Sequence, residues 1–204
     1  MPKSILLLFA HPAQSHSKIN RPLFEIAQSH PNITAVDLYH EYPDSHINVR
    51  KEQQRLLEHD LVIMQFPFYW YSTPSILKDW QDLVLQYGFA YGKTGTALQN
   101  KPLLCSVSTG APDHAYTHTG ANRYTVRELL RPIEATAHLC GMPYLPPFIL
   151  HGALTAYEDG NLLTHETHWQ TLLDQLAQDK VDLNEAEKLD SINEYLFSTG
   201  ALTK

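Results

Sequence analysis

Only two cysteines occur in the 204 residues, Cys105 inside an apolar run and Cys140 just before a glycine. Without paired spacing they read as ordinary buried thiols of a reducing compartment, not as a disulfide framework. Positive charge is also short, with 15 Lys and Arg against 22 Asp and Glu and a net charge of −7. No basic field exists to hold a phosphate backbone or an anionic membrane, which excludes nucleic acid as a partner. No apolar run approaches the roughly 18 residues of a membrane span. The run that follows Lys3 is too short for a leader and has no small-residue cleavage site, so it reads as a strand, and the expected location is the cytoplasm.

The usual equipment for hydrolysis is missing. There is no G-x-S-x-G elbow, and Cys105 within a strand is poorly placed as a nucleophile. Histidine is abundant at 12 residues, but H-E-x-x-H and clustered Cys are absent. His114 and His118 lie among Pro, Gly and Thr that argue against a shared helical face, and His165 and His168 have no third ligand. No metal site is assigned.

What is present is an alternation of apolar runs and amphipathic segments. Strand signals at residues 5–10, 33–38, 61–66, 103–107 and at the end of 143–150 alternate with helical ones, which predicts an α/β fold: a five-stranded parallel sheet with helices on both faces. Residues 1–180 form one domain. Residues 181–204 are an extension expected to be helical and then frayed. One helix is predicted over residues 124–139, ended by Cys140-Gly141, and a helix opened by Thr73-Pro74 is expected to stop at Gly88.

The stretch from Asp60 to Pro74 organises the chain. Residues 61–66 read as a central strand covered on both faces. Phe68, Tyr69, Trp70 and Tyr71 follow, four successive aromatics that cannot all enter one core from a connecting segment. At the carboxyl end of a strand in an open α/β sheet they favour a flat, partly apolar ligand, while a core rim is the other use of aromatics there.

The loop after the first strand, with His11, Ser15, His16 and Ser17, leads into a helix expected to begin near Ser17 or Lys18. Unpaired N–H groups at such a helix start receive anions. The loop has no glycine, which excludes both the G-x-G-x-x-G fingerprint and the G-x-x-x-x-G-K-[ST] loop. Its hydroxyl, amide and imidazole donors, with Asn20, suit a terminal monophosphate; a plain Ser-capped helix is the alternative. Ser108, Thr109, Gly110 and Ala111 follow the fourth strand and present hydroxyls and bare backbone to the same crevice. Strong acids and bases are few. That division of labour suits a cofactor that carries the reaction itself, and a flavin mononucleotide fits the three features.

Ala10-His11-Pro12 with Ser17 and Asn20, the run from Pro67 to Pro74, Leu77-Lys78-Asp79-Trp80, Phe89-Ala90-Tyr91-Gly92, Gly95-Thr96-Ala97-Leu98 and Ser108-Thr109-Gly110 together resemble the flavodoxin-like NAD(P)H quinone oxidoreductases. Within that family the chain is most similar to the ancillary oxidoreductase subunits of glutathione-regulated potassium efflux systems. The resemblance implies that FMN, in preference to FAD, is held by His11, Ser17, Lys18, Ile19 and Asn20 at its phosphate, and by Phe68, Tyr69, Trp70, Tyr71, Ser108, Thr109, Gly110 and Ala111 around its ring. It implies a homodimer, and hydride passing from NAD(P)H through flavin N5 to a quinone or similar electrophile in a two-electron ping-pong reaction. A potassium-efflux transporter would be a further partner, bringing the protein to the inner membrane. Ala111 stands where the family commonly has Gly. The Tyr and His that assist hydride transfer match Tyr116 and Asn122; Asn is no proton relay, so His118 is taken as its substitute. Alternative readings are a regulatory ancillary subunit and a flavodoxin-type electron carrier.

Overall fold

A computed structural model describes residues 2–13 and 17–202. Five parallel strands, β1 (Ile5–Phe9), β2 (Ile33–Asp37), β3 (Leu61–Pro67), β4 (Leu103–Ser108) and β5 (Phe148–Leu150), form one sheet in the order β2-β1-β3-β4-β5. β1, β3 and β4 are buried on both faces. In β1, Ile5, Leu7 and Phe9 enter one core and Leu6 and Leu8 the other; in β3, Leu61 and Ile63 face the first and Val62, Met64 and Phe66 the second. This is the period of two that a pleated strand imposes.

One face is covered by α2 (Leu38–Glu41), α3 (Val49–Glu58), α4 (Ser75–Val84), α5 (Val126–Leu129) and α6 (Arg131–Leu139), through Leu56, Trp80, Val84 and Ile133 among others. The opposite face is covered by α1 (Asn20–Ser29), α7 (Asn161–Ala177), α8 (Leu183–Ala186) and α9 (Ile192–Ser198), which bring Phe24, Trp169, Leu172 and Ile192. Trp169 Nε1 donates to the Leu23 carbonyl at 2.9 Å and locks α7 to α1. None of the described helices is long and apolar enough to cross a membrane.

Several elements differ from the sequence reading. The helix expected over 124–139 is broken at Leu130 into α5 and α6. Pro132 has no N–H to continue the ladder and disfavours a helical residue before it, so the chain restarts there. The helix expected to stop at Gly88 ends at Val84. The strand read over 33–38 ends at Asp37, and residues 38–41 form α2 because the Asp37 side chain caps the N–H groups of Tyr39 and His40.

Residues 183–198 carry two short helices where one was expected. Asp182 caps α8, and Ser191 caps α9 by accepting from the Glu194 N–H. Ile192 and Leu196 are fully buried, and Ile192 N–H donates to the Pro147 carbonyl at 3.0 Å. Arg127 Nη1 donates to the carbonyls of Glu187 and Leu189 and ties this segment to α5.

Candidate functional site

In the strand order β2-β1-β3-β4-β5 the winding direction reverses between β1 and β3, and there the connections after the two strands part to leave a crevice. A cavity of about 430 Å³ opens at this point, lined by His11, Ser17, Lys18, Ile19 and Asn20 from the first loop, Phe68 and Tyr69 from the second, and Ser108 and Gly110 from the third. Its size is that of a small-ligand site.

One side of the crevice is built by the start of α1. Helix residue Asn20 donates its N–H to Ser17 Oγ at 3.0 Å, and no side chain caps the helix from Ile19. The first turn holds no acidic residue, so the positive end of the helix is unopposed. Asn20 is buried. Its amide donates to Ser108 Oγ at 2.8 Å, and its carbonyl accepts from Gln65 Nε2 at 2.8 Å. Gln65 continues the Leu61 and Ile63 side of β3, which aims it at α1. Ser15 and His16, named with this loop in the sequence, lie outside the described residues.

His11 is buried, with its ring 6.2 Å from Phe9 and 6.1 Å from Tyr69. Burial lowers its pKa below the ordinary imidazole value. Its Nδ1 accepts from the Ala13 N–H at 3.2 Å, which leaves the proton of the neutral ring on Nε2.

The aromatic run divides four ways. Phe68 packs into the core beneath the crevice, and its N–H donates to the Ser108 carbonyl at 2.9 Å. Tyr69 forms part of the crevice wall. Trp70 and Tyr71 take left-handed conformations, φ 51° and 61°, in a tight turn closed by Ser72 N–H on the Tyr69 carbonyl. The turn throws Trp70 outward, 93 % exposed and off the cavity wall. Tyr71 donates its hydroxyl to Asn122 Oδ1 at 3.0 Å.

After β4, Ser108 is tied to Asn20, and Thr109 is fully buried, donating its hydroxyl to the Ala111 carbonyl at 2.9 Å. At Gly110 an added Cβ would meet nothing nearer than Leu154 at 3.9 Å. A side chain there would project into open space, and the glycine leaves bare backbone at the crevice. Ala111 is half-buried beside it.

Of the residues suggested for proton handling, Asn122 stays close to Tyr116, its N–H donating to the Ala115 carbonyl at 2.9 Å, and His118 alone is turned elsewhere. Tyr116 is buried, its ring 6.4 Å from Phe68, and burial raises its phenol pKa. Asn122 is occupied by Tyr71. His118 is exposed and turned to Glu128, 3.0 Å from each carboxylate oxygen, which raises its pKa. Glu128 is also the N3 partner in the capping box that opens α5. His151 stands beside Tyr116 instead, with ring centroids 5.6 Å apart.

Ala153 and Leu154 line the cavity as well. The sequence reading overlooked them and His151; the available signal was that the loop after the fifth strand must open at the same end of the sheet. His165 and His168 serve packing, stacked on Phe148 at 4.2 Å and edge-on to Phe197 at 5.2 Å. Among the described residues no group of three or more His, Cys, Asp or Glu is arranged to hold a metal ion.

Residues 3–173 match the family described as having a flavodoxin-like fold, and the chain belongs to that family. Among its curated relatives is the glutathione-regulated potassium-efflux system ancillary protein KefG of Pectobacterium carotovorum subsp. carotovorum (strain PC1). It is 47 % identical over 152 residues, which cover 74 % of this chain and 83 % of that protein. The uncharacterized NAD(P)H oxidoreductase YdeQ of Bacillus subtilis (strain 168) is 44 % identical over 150 residues, covering 74 % of this chain and 76 % of that one. The crystal structure of general stress protein 14 from Treponema denticola in complex with FMN superposes with a TM-score of 0.80 at 37 % identity, covering 85 % of this chain and 99 % of that chain.

Proposed function

We infer that the protein is an FMN-dependent NAD(P)H oxidoreductase whose acceptor is a quinone or a similar electrophile. The observation that carries this reading is the crevice at the β1/β3 reversal. It joins a helix start that has no acid in its first turn, and whose first N–H rests on Ser17, to bare backbone at Gly110. The FMN complex of the Treponema denticola relative and the name of the Bacillus subtilis relative support it.

Ser17, Lys18, Ile19 and Asn20 would hold the phosphate with helix-start N–H groups, hydroxyl and amide, and His11 would offer Nε2–H nearby. Phe68, Tyr69, Ser108, Thr109, Gly110 and Ala111 would hold the ring. Bound FMN supplies the chemistry that this chain's side chains lack, two-electron exchange by hydride with a reduced nicotinamide and then an acceptor. The chain contributes a preformed, largely apolar slot that fixes the distance and angle of approach. The sequence assigns no Arg or Lys to a 2′-phosphate, so the donor is NADH or NADPH. Trp70, thrown out of the chain's own crevice, suits a homodimer in which that aromatic tip meets a second copy. The ping-pong order follows from one slot serving donor and acceptor in turn.

The test is the visible spectrum of protein incubated with FMN and desalted, then treated anaerobically with NADH or NADPH and afterwards with a quinone. Retained flavin that bleaches with a nucleotide and recovers with the quinone is expected. Flavin lost on desalting, or unreduced by either nucleotide, would overturn the reading.

The similarity to KefG supports a second role, as the cytoplasmic ancillary subunit of a potassium-efflux transporter. Co-purification with such a transporter, and an effect on efflux that survives flavin-site substitutions, would separate it from the enzymatic role.

A further inference from the structure

Outside the crevice wall, a half-buried imidazole sits against the residue matched to hydride transfer and has no role so far. His151 follows β5, and its Nδ1 lies 3.2 Å from Thr109 Oγ1. A hydroxyl has one proton, and that of Thr109 goes to the Ala111 carbonyl at 2.9 Å. Toward His151 the Thr109 oxygen must therefore accept, so Nδ1 of the imidazole carries the proton and Nε2 keeps its lone pair. The same Thr109 hydroxyl meets the phenol of Tyr116, and the Tyr116 and His151 rings are 5.6 Å apart.

The backbone fixes this contact further. Thr109 N–H donates to the Leu150 carbonyl at 2.9 Å, Gly152 N–H to Ala111 at 2.9 Å, and Ala153 N–H to Thr109 at 2.8 Å. The loops after β4 and β5 are thus one unit, with His151 at its centre.

We propose that His151, as its Nδ1–H tautomer, is a positioning residue: through the Thr109 hydroxyl and by ring contact it fixes the phenol of Tyr116 for the oxidoreductase reaction. His118 then has no part in it, being held by Glu128 on the surface. The proposal rests on the FMN oxidoreductase reading above. A half-buried imidazole that only filled space would need no defined tautomer and no coupling to Tyr116.

Two measurements on the FMN-loaded protein test it. Long-range ¹H–¹⁵N spectra of histidine-labelled protein, with His151 assigned by comparison with His151→Asn, are expected to show Nδ1–H at neutral pH; an Nε2–H tautomer or an imidazolium would overturn the proposal. In anaerobic single turnover, His151→Leu is expected to slow flavin reduction about tenfold with little change in nucleotide half-saturation or FMN affinity. His151→Asn keeps an N–H donor at the same place and should recover most of the rate. The double variant with Tyr116→Phe should be no slower than the slower single. A wild-type rate in His151→Leu, or effects of the two substitutions that multiply, would overturn the role of His151 alone. A wild-type protein that holds no FMN would instead overturn the reading on which it rests.

Discussion

Asn20 and Ser108, 88 positions apart, exchange two hydrogen bonds in a buried pocket: the Asn20 amide donates to Ser108 Oγ at 2.8 Å and Ser108 Oγ donates back to Asn20 Oδ1 at 3.2 Å. The pair pins the first turn of α1 to the end of β4, so these two walls of the crevice cannot drift apart. Ser108→Ala leaves a buried amide short of its partner and is expected to cost about 1–3 kcal/mol in denaturant unfolding. FMN affinity should fall as well. A loss below about 0.5 kcal/mol, in the range of neutral surface changes, would show that the two walls are held by something else.

His165 predicts how stability responds to acid. Burial pushes its pKa down from 6.5 to about 3. Between those values the unfolded chain binds a proton there and the folded one does not, so stability is complete above pH 6.5 and declines as pH falls toward 3, by up to about 1.4 kcal/mol per pH unit. Replacing His165 with Leu removes that term while the other histidines stay. Between pH 6.5 and 5 the variant should lose about 2 kcal/mol less than the wild type in urea titrations. Parallel losses would mean that the imidazole is hydrated in the folded protein.

Trp70 has no packing of its own to lose. Trp70→Ala should leave the unfolding free energy within about 0.5 kcal/mol, yet weaken self-association measured by sedimentation equilibrium. If the variant and the wild type associate equally, or neither associates, the aromatic tip is not the homodimer contact.

The segment after Lys180 is structural. Leu196 is fully buried against the sheet face that α1 and α7 cover. Leu196→Ala should destabilise the whole protein by about 2–5 kcal/mol, the usual cost of a large buried aliphatic side chain. Single-transition melting at a lower Tm is expected. Separate melting of the segment, with the main transition unmoved, would make it an appendage.

Much of the fold was legible because burial writes itself into the strands. Residues 61–66 carry no polar side chain except Gln65, and a run of that length covered on both faces has few other forms. Glycine-free loop chemistry and the aromatic run marked the crevice for the same reason: in an open parallel sheet all carboxyl ends point one way. Periodicity misled at Leu130, where Arg131-Pro132 should have outweighed a continuous apolar stripe. The two short helices near the end had readable caps, Asp182 with Glu185 and Ser191 with Glu194, but were merged into one. His151 was beyond reach. Its meaning depends on β5 lying beside β4, which brings it to Thr109 across 42 positions, and no local pattern encodes that distance. The exit of Trp70 was equally hidden, since four like residues gave no sign of the left-handed turn that sorts them.

The bonds that carry the β4/β5 ladder past the strand ends, from Thr109 to Leu150 and back from Gly152 and Ala153, also decide when ordering entropy is lost. Freezing a loop residue costs roughly 1–2 kcal/mol. Here that loss falls on the folding of the domain, before any ligand arrives. A ligand entering the crevice meets a floor already set, and keeps for affinity the free energy it would otherwise spend on ordering it. Substitutions that soften this ladder would therefore weaken binding through entropy, with every contacting side chain still in place.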